Sequence, residues 1–361
     1  MLTTSACGEV RKTSDHNQES FNNNQVVRQL TLDEWQVFAD SHPDCTIFHH
    51  RNWIKLLVDT YGFQLHIPAV KQNGQVLAAV PFLGTRNIWG ARKLISLPFS
   101  DCMSILSQCG DAVRRLRKEL TTDKYRTYRA IVLRTEQPLR PNGSAPWSRH
   151  VIDTSRSFNE ITANFERRLR TNLRRAEKRK LTFQFSIDRS AFEEFYHLFL
   201  RTRRGHGLPI QPKSFFTGLY DRLLLQNLGS VGLVRNGDAV TAAGVFLHHG
   251  GKMTCKYLAS DPNALDSRPN EFLLVHAVRM AVEMGYSTFD FGISKREQVG
   301  LRRFKRKFGA IENDVYHDYV AGNVQPLIED SLAMKIVAAT IRNSPTVVCR
   351  AVGALVYRYS Q

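Results

Sequence analysis

Two Asn-Gly dipeptides, Asn73-Gly74 and Asn236-Gly237, stand 163 residues apart in this chain of 361, each between apolar, β-rich runs. A two-residue hairpin turn needs positive φ at both central positions, which Asn and Gly adopt at little cost, so each dipeptide predicts a β-hairpin. The flanking residues repeat in the same order. Ala78-Ala79 and Phe82-Leu83 recur as Ala242-Ala243 and Phe246-Leu247 at a separation of 164, and Ser100-Asp101 recurs as Ser260-Asp261 at 160. A period this long predicts a tandem pair of one α/β unit rather than a solenoid. The length suits two domains at about 150 residues each.

The element pattern agrees. Thr31 and Glu34 form a capping box opening a helix to about Asp40, and a second helix spans 50–61. Strands are predicted over 65–72, 75–85, 91–99 and 127–134, with a helix over 111–120 and a Pro/Gly/Ser loop over 138–146. In the second half strands are predicted over 181–187, 231–235, 239–248, 252–259, 287–291 and 315–320. Helices are predicted there over 190–203, 212–225 and 270–284, with a basic helical turn over 301–308. Between the halves, 158–180 reads as one long helix carrying eight cations, Arg170 and Arg174 among them, against Glu166 and Glu177. The expected organisation is a polar, disordered leader (1–26), a first unit (27–155), the basic connecting helix (156–180), a second unit (181–320) and a basic amphipathic tail (321–361).

Composition narrows the function classes. Lys and Arg exceed Asp and Glu by 17, and such an excess draws polyanions: nucleic acid, anionic lipid head groups or phosphorylated metabolites. The longest apolar stretch, 332–359, is interrupted by Lys335, Arg342, Arg350 and Arg358, which argues against a membrane span. No secretory h-region is visible, and the six cysteines contain no C-x-x-C pair. Reduced thiols in a cytoplasmic protein are expected, with neither a zinc ribbon nor a thioredoxin-like site.

Specific stretches carry a family resemblance. They are Arg201-Thr202-Arg203-Arg204-Gly205-His206-Gly207, Gln211-Pro212-Lys213, Tyr257-Leu258-Ala259-Ser260-Asp261 and Arg268-Pro269-Asn270. Phe289-Asp290-Phe291-Gly292 and Phe304-Lys305-Arg306-Lys307-Phe308-Gly309 follow, and Ser96-Leu97-Pro98-Phe99-Ser100-Asp101 supports them from the first half. Over about 27–320 the chain resembles the FemAB-like branch of the GNAT acyltransferase superfamily, particularly members associated with exopolysaccharide and cell-envelope loci. The resemblance implies an α/β (α+β) fold of two tandem GNAT-like units with mixed sheets and a substrate channel between them. It implies transfer of an aminoacyl or acyl group to an amine, with the donor and acceptor meeting directly and no bound cofactor. It also implies that Lys305 lies at the reaction centre and compensates negative charge.

The residues themselves suggest further roles. Asp290 either orients Lys305, acts as a base or caps the following turn, and Gly292 serves that turn. Phe304 and Phe308, at i and i+4, anchor the turn that carries Lys305. His206 is a candidate base, and Arg203 and Arg204 suit a phosphate or carboxylate. Gln211, Tyr257, Asp261, Arg268 and Asn270 are candidate substrate-binding residues, with an Asp261–Arg268 ion pair as the structural alternative. Residues 262–270 contain no glycine, so the pyrophosphate loop of CoA-dependent GNATs is absent. That favours aminoacyl-tRNA or a carrier-bound acyl group over acyl-CoA as donor, with a phosphorylated or lipid-linked sugar or peptide as acceptor. Arg170 and Arg174 would face the anionic partner. The tail either lies on the inner face of a membrane or covers the second unit's core. Two rival functions remain: an acetyl-CoA-dependent acetyltransferase on a nucleotide sugar, and a non-catalytic basic protein binding membrane or RNA.

Overall fold

The structure is a computed structural model. It describes residues 25–321 except 88–89 and 139–144, together with 338–342, 349–350, 353–354 and 356–357. Residues 1–24 of the expected leader and most of the tail therefore lie outside the described residues, whereas Gln25 and Val26, expected in the leader, are paired as the start of a strand.

The first half runs β1 (Gln25–Gln29), α1 (Leu32–Asp40), α2 (Arg51–Tyr61), β2 (Gln64–His66), β3 (Pro68–Gln72), β4 (Gln75–Ala79), β5 (Phe82–Arg86), β6 (Arg92–Ile95), β7 (Leu106–Ser107), α3 (Gly110–Glu119), β8 (Ala130–Thr135) and β9 (Trp147–Asp153). After α4 (Phe158–Ala163) and α5 (Arg167–Lys178) the order returns. It runs β10 (Thr182–Ser186), α6 (Arg189–Gly205), α7 (Lys213–Arg222), β11 (Gly229–Asn236), β12 (Ala239–His249), β13 (Lys252–Ser260), α8 (Pro269–Glu283), β14 (Thr288–Lys295), α9 (Val299–Arg306) and β15 (Ile311–Ala321). The Thr31 capping box forms as expected, its hydroxyl accepting from the Glu34 N–H and the Glu34 carboxylate accepting from the Thr31 N–H.

Sheet pairing exposes the internal duplication. Both Asn-Gly dipeptides turn antiparallel hairpins, β3–β4 and β11–β12. Among the described strands two pairs run parallel, β6–β8 and β13–β14, at equivalent places in the two halves. Even an irregularity repeats. Pro81 separates β4 from β5, because its missing N–H breaks the ladder. The position 164 residues on is a bulge at Val245 and Phe246 within β12.

Eleven strands form one sheet in the order β10-β11-β12-β13-β14-β9-β15-β8-β6-β5-β2, and β1-β3-β4-β7 form a second. At its centre the halves exchange strands: β9 pairs with β14 of the second half, β15 pairs with β8 of the first, and β9 and β15 pair with each other. One core joins the halves on one face, with Trp35 and Trp53 from α1 and α2 in the same cluster as Phe195 and Phe215 from α6 and α7. A second core packs Phe165, Leu169, Phe272 and Phe308 under β14.

Three expectations change. The basic segment 158–180 is two helices, not one. Phe165 turns inward at the break, and the Glu166 N–H donates to the Lys307 carbonyl oxygen at 2.9 Å, which starts α5 in a new direction. The segments expected as single strands over 65–72 and 75–85 each divide, into β2 and β3 and into β4 and β5. The third is β9, which the sequence reading left unassigned. Of the tail, Ile341 and Cys349 are buried in the core shared with α6 and α7, and the Tyr357 hydroxyl accepts from Arg203 at 2.9 Å. These tail residues cover the second unit.

Candidate active site

The parallel strands β13 and β14 pair only as far as Thr254 and Asp290, although both continue beyond. There they part. Beyond the gap β14 bulges, its register against β9 shifting between Asp290 and Ile293, with Gly292 at φ 72°. A side chain reaching this point finds main-chain carbonyls released from the ladder.

Lys305 reaches it. The residue is 6% exposed, and its Nζ donates to the carbonyl oxygens of Gly292 at 2.7 Å and Ile293 at 3.1 Å. Helix α9 delivers it because Phe308 is fully buried against Phe291, with the half-buried Phe304 ring 5.5 Å from that of Phe308. Burial pushes the Lys305 ammonium below its usual value of 10.5, while Asp290 and Asp101 pull it back up.

Asp290 has a different role from the one that ties it to Lys305. Its Oδ2 accepts from Arg149 Nε at 2.7 Å, and its Oδ1 accepts from the Gly292 N–H at 2.7 Å. It caps the bulge and holds Gly292 in place. Burial raises its carboxyl above 3.8, with Arg149 opposing. Arg149 also pairs with Glu136, so one guanidinium serves two carboxylates.

The first half contributes Asp101. The preceding loop holds Leu97 and Phe99 at φ 50° and 65°, a region that costs a branched or bulky residue energy. This conformation carries Asp101 across to the second half, where Lys256 Nζ donates to Asp101 Oδ1 and to the Phe99 carbonyl oxygen, both at 2.7 Å. Asp101 Oδ2 faces Gly292: a Cβ on that glycine would come within 3.2 Å of it. Lys256 also lies 4.8 Å from the Phe48 ring centroid and 5.5 Å from that of Trp53.

Two further groups are near. His150 on β9 is fully buried and has, among the described residues, no hydrogen-bond partner for either ring nitrogen, with Glu312 at 3.6 Å. Burial, reinforced by Lys305, holds it down at about 4, so the imidazole is neutral at physiological pH. Burial pushes the Cys255 thiol up to about 12, although Lys305 pulls the other way, so it is not a thiolate nucleophile.

Two cavities flank this centre. One of about 480 Å³ is lined by residues of both halves, including Thr46, His49, Glu136, Arg149, Lys252 and Asp290. Lys305 is not part of its lining. The other, of about 250 Å³, lies between α5, α8 and α9 and is lined by Arg168, Asn172, Arg268, Glu271, Arg303 and Lys307, with Phe304 at its edge. Here Arg268, at φ 61°, is the N-cap of α8, and its buried Nε has no partner among the described residues. Helix N-termini attract anions through their free N–H groups and dipole, and Arg268 adds a formal charge at the same place. The Glu271 carboxylate is satisfied by Lys307 at 2.8 Å and Asn172 at 3.1 Å.

The remaining expected residues are dispersed. His206 is the exposed C-cap of α6, and its ring makes no hydrogen bond among the described residues. Arg203 clamps the Pro209 carbonyl oxygen and Tyr357, so it builds the loop instead of offering a free charge. Arg204 is exposed beside it, as are Arg170 and Arg174 on α5. Gln211 accepts from the hydroxyl of the half-buried Tyr257 at 3.1 Å. Asp261 caps the turn over 262–267, and its cationic neighbour is Arg201 at 3.9 Å, not Arg268. Asn270 donates to Ser260, and its Oδ1 has no partner among the described residues.

The sequence reading missed Arg149, His150 and Lys256 entirely. It quoted Asp101 only within a motif. The positive-φ loop before Asp101 has no turn signature in its residues, and β9 was unassigned, so nothing aligned these side chains with Lys305.

Known proteins share the fold. Residues 163–306 match the acetyltransferase (GNAT) domain family. In fold the chain is similar to FemX, with a TM-score of 0.62 and 18% identity over 81% of this chain and 96% of that one. It is also similar to the C-terminal DUF2156 domain of a protein assigned as a lysylphosphatidylglycerol synthetase from Agrobacterium fabrum, with a TM-score of 0.54 and 13% identity over 86% and 95%. A third likeness is a conserved protein of unknown function from Bacteroides thetaiotaomicron, with a TM-score of 0.53 and 10% identity over 81% and 98%. No curated protein matches the sequence. Residues 163–306 thus carry the signature of a GNAT acetyltransferase domain, and the fold over both halves is similar to that of FemX.

Proposed function

We propose that this acyltransferase moves an aminoacyl group from an aminoacyl-tRNA to an amine on an anionic, phosphorylated or lipid-linked envelope precursor. The observation that carries the reading is the buried Lys305 ammonium at the gap between β13 and β14. Attack of a neutral amine on an ester carbonyl develops negative charge on oxygen and then on the leaving hydroxyl. A fixed cation in a poorly hydrated site stabilises that charge more than water does. Asp101 Oδ2 is the candidate acceptor for the amine proton, since Lys256 holds its other oxygen. With Cys255 protonated, direct transfer needs no covalent intermediate.

The donor's phosphates would lie at the cavity of Arg168, Arg268, Arg303 and Lys307. In place of a glycine loop, α8 is opened by Arg268 and Pro269, and this favours a polynucleotide or another phosphodiester over the pyrophosphate of CoA. The name of one structural neighbour joins lysine to an anionic lipid, which supports an aminoacyl donor and a membrane-linked acceptor. Among the described residues no helix is long and apolar enough to cross a membrane.

The test is a screen of charged tRNAs and acyl-CoAs against lipid-linked and nucleotide-sugar acceptors, read by mass spectrometry. Product from a charged tRNA, lost in Arg268→Ala through a higher KM, supports the reading. Turnover with acetyl-CoA alone would replace it with the acetyltransferase. Salt-sensitive binding without turnover by any donor would leave only a docking protein.

A further inference from the structure

Away from this centre, three side chains with metal-binding atoms meet where the halves touch. Asp40 ends α1, Cys45 lies in the loop leading to α2, and His249 ends β12. One ligand atom from each lies within 4.8 Å of the others. A carboxylate, a thiol and an imidazole form the mixed donor set that Zn²⁺ accepts, unlike the all-oxygen shells of Mg²⁺ and Ca²⁺. With metal–ligand bonds of about 2.0–2.3 Å, tetrahedral ligand atoms stand roughly 3.3–3.8 Å apart, so the three need close by only about 1 Å.

The surroundings support such a site. Gln36 Nε2 donates to Asp40 Oδ1 at 2.6 Å, and His249 Nε2 lies 2.9 Å from the same oxygen, so among the described residues these hydrogen bonds fall on Oδ1 and not on Oδ2. The β12–β13 turn is pressed onto the Cys45 loop: a Cβ at Gly250 would come within 2.6 Å of the Cys45 carbonyl oxygen, and Lys252 Nζ donates to that oxygen at 2.9 Å. His50 stands near, its ring centroid 4.7 Å from that of His249. Its Nδ1, however, accepts from the Asn52 N–H, so the neutral ring carries its proton on Nε2 and has no lone pair to offer. Water would fill the fourth position.

We propose that Asp40, Cys45 and His249 form a site for a thiophilic divalent cation, best matched by Zn²⁺, that ties the loop before α2 to the β12–β13 turn. The cation displaces the Cys45 proton to solvent, and the resulting thiolate and the Asp40 carboxylate balance its charge. Thr46, His49 and Lys252 line the larger cavity, so the bound cation would brace one wall of it.

The experiment is a titration of the full chain, stripped by chelator, with Co²⁺ as a spectroscopic substitute for Zn²⁺. The expected result is a thiolate-to-cobalt charge-transfer band that saturates at one equivalent and is bleached by Zn²⁺. Cys45→Ala should abolish the band, and His249→Gln and Asp40→Asn should each weaken binding by about ten-fold or more. Should Cys45→Ala fail to fold, the two other variants carry the test, because their side chains reach the surface. Absence of a band in the wild-type chain would overturn the proposal and leave a plain Asp40–His249 contact between halves. A band that survives Cys45→Ala would overturn it equally, by assigning the cation to another cysteine.

Discussion

The Lys305 ammonium is 2.7 Å from the carbonyl oxygen of Gly292, on the bulge where β14 leaves β13. The ammonium also donates to the Ile293 carbonyl oxygen at 3.1 Å, so two main-chain carbonyls of the bulge hold it. Lys305→Ala should therefore lower kcat by about 10²-fold or more, as loss of one charge-stabilising donor does, while leaving KM for the donor nearly unchanged. Steady-state kinetics beside a far-ultraviolet circular dichroism spectrum separates this from unfolding. Full activity in the variant removes Lys305 from the mechanism.

The same residue sets a pH limit. Burial lowers the Lys305 value below 10.5, so its charge is lost at a lower pH than that of an exposed lysine. If the charged form is the active one, kcat falls as pH rises through the lowered value. Lys305→Arg, which stays charged, should carry the alkaline limb to higher pH even if its absolute rate is poor. An unmoved limb would assign it to the substrate.

Gly292 sits at φ 72°, with Asp101 Oδ2 against its open face. Gly292→Ala should cost at least about 1–2 kcal/mol from the left-handed backbone alone, and should also push Asp101 away. A urea unfolding midpoint indistinguishable from wild type would contradict this.

Arg149 neutralises Asp290 and Glu136 together. Arg149→Met strands two carboxylates, one fully buried, and should destabilise by about 3–5 kcal/mol. Adding Asp290→Asn should recover part of that loss. Strict additivity in the double-mutant cycle would mean the two residues do not interact.

Burial raises the Glu312 carboxyl, but the hydrogen bond from Arg302, with its positive charge, outweighs it and holds it down at about 2. Its folded value lies below the unfolded one. The stability it confers is complete above about 4.5 and fades as pH falls toward 2. Glu312→Gln should flatten the acid side of a thermal-stability profile over that window.

The hairpins, the repeat and Lys305 could be read in the chain because each has a local signal: Asn-Gly at a turn, a fixed separation, two phenylalanines at helical spacing. Asp290 was visible as a residue but not as Arg149's partner, since their pairing is made by β9, whose seven residues lie between a Pro/Gly loop and a helix and show no strong alternation. Asp101 needed the unusual backbone at Leu97 and Phe99, which only the surrounding packing enforces. Arg203 looked like a free phosphate ligand because nothing near it in sequence announces that the Pro209 carbonyl and Tyr357 will claim it. Long-range partners, more than residue type, decided which candidates stayed available for chemistry.

The exchange of β9 and β15 has a mechanical consequence. Main-chain hydrogen bonds run unbroken from one end of the large sheet to the other, so no hinge line divides the molecule into two rigid jaws. A bulky substrate must gain entry by local yielding at the rim, and a lesion that frees either crossed strand would loosen both lobes at once.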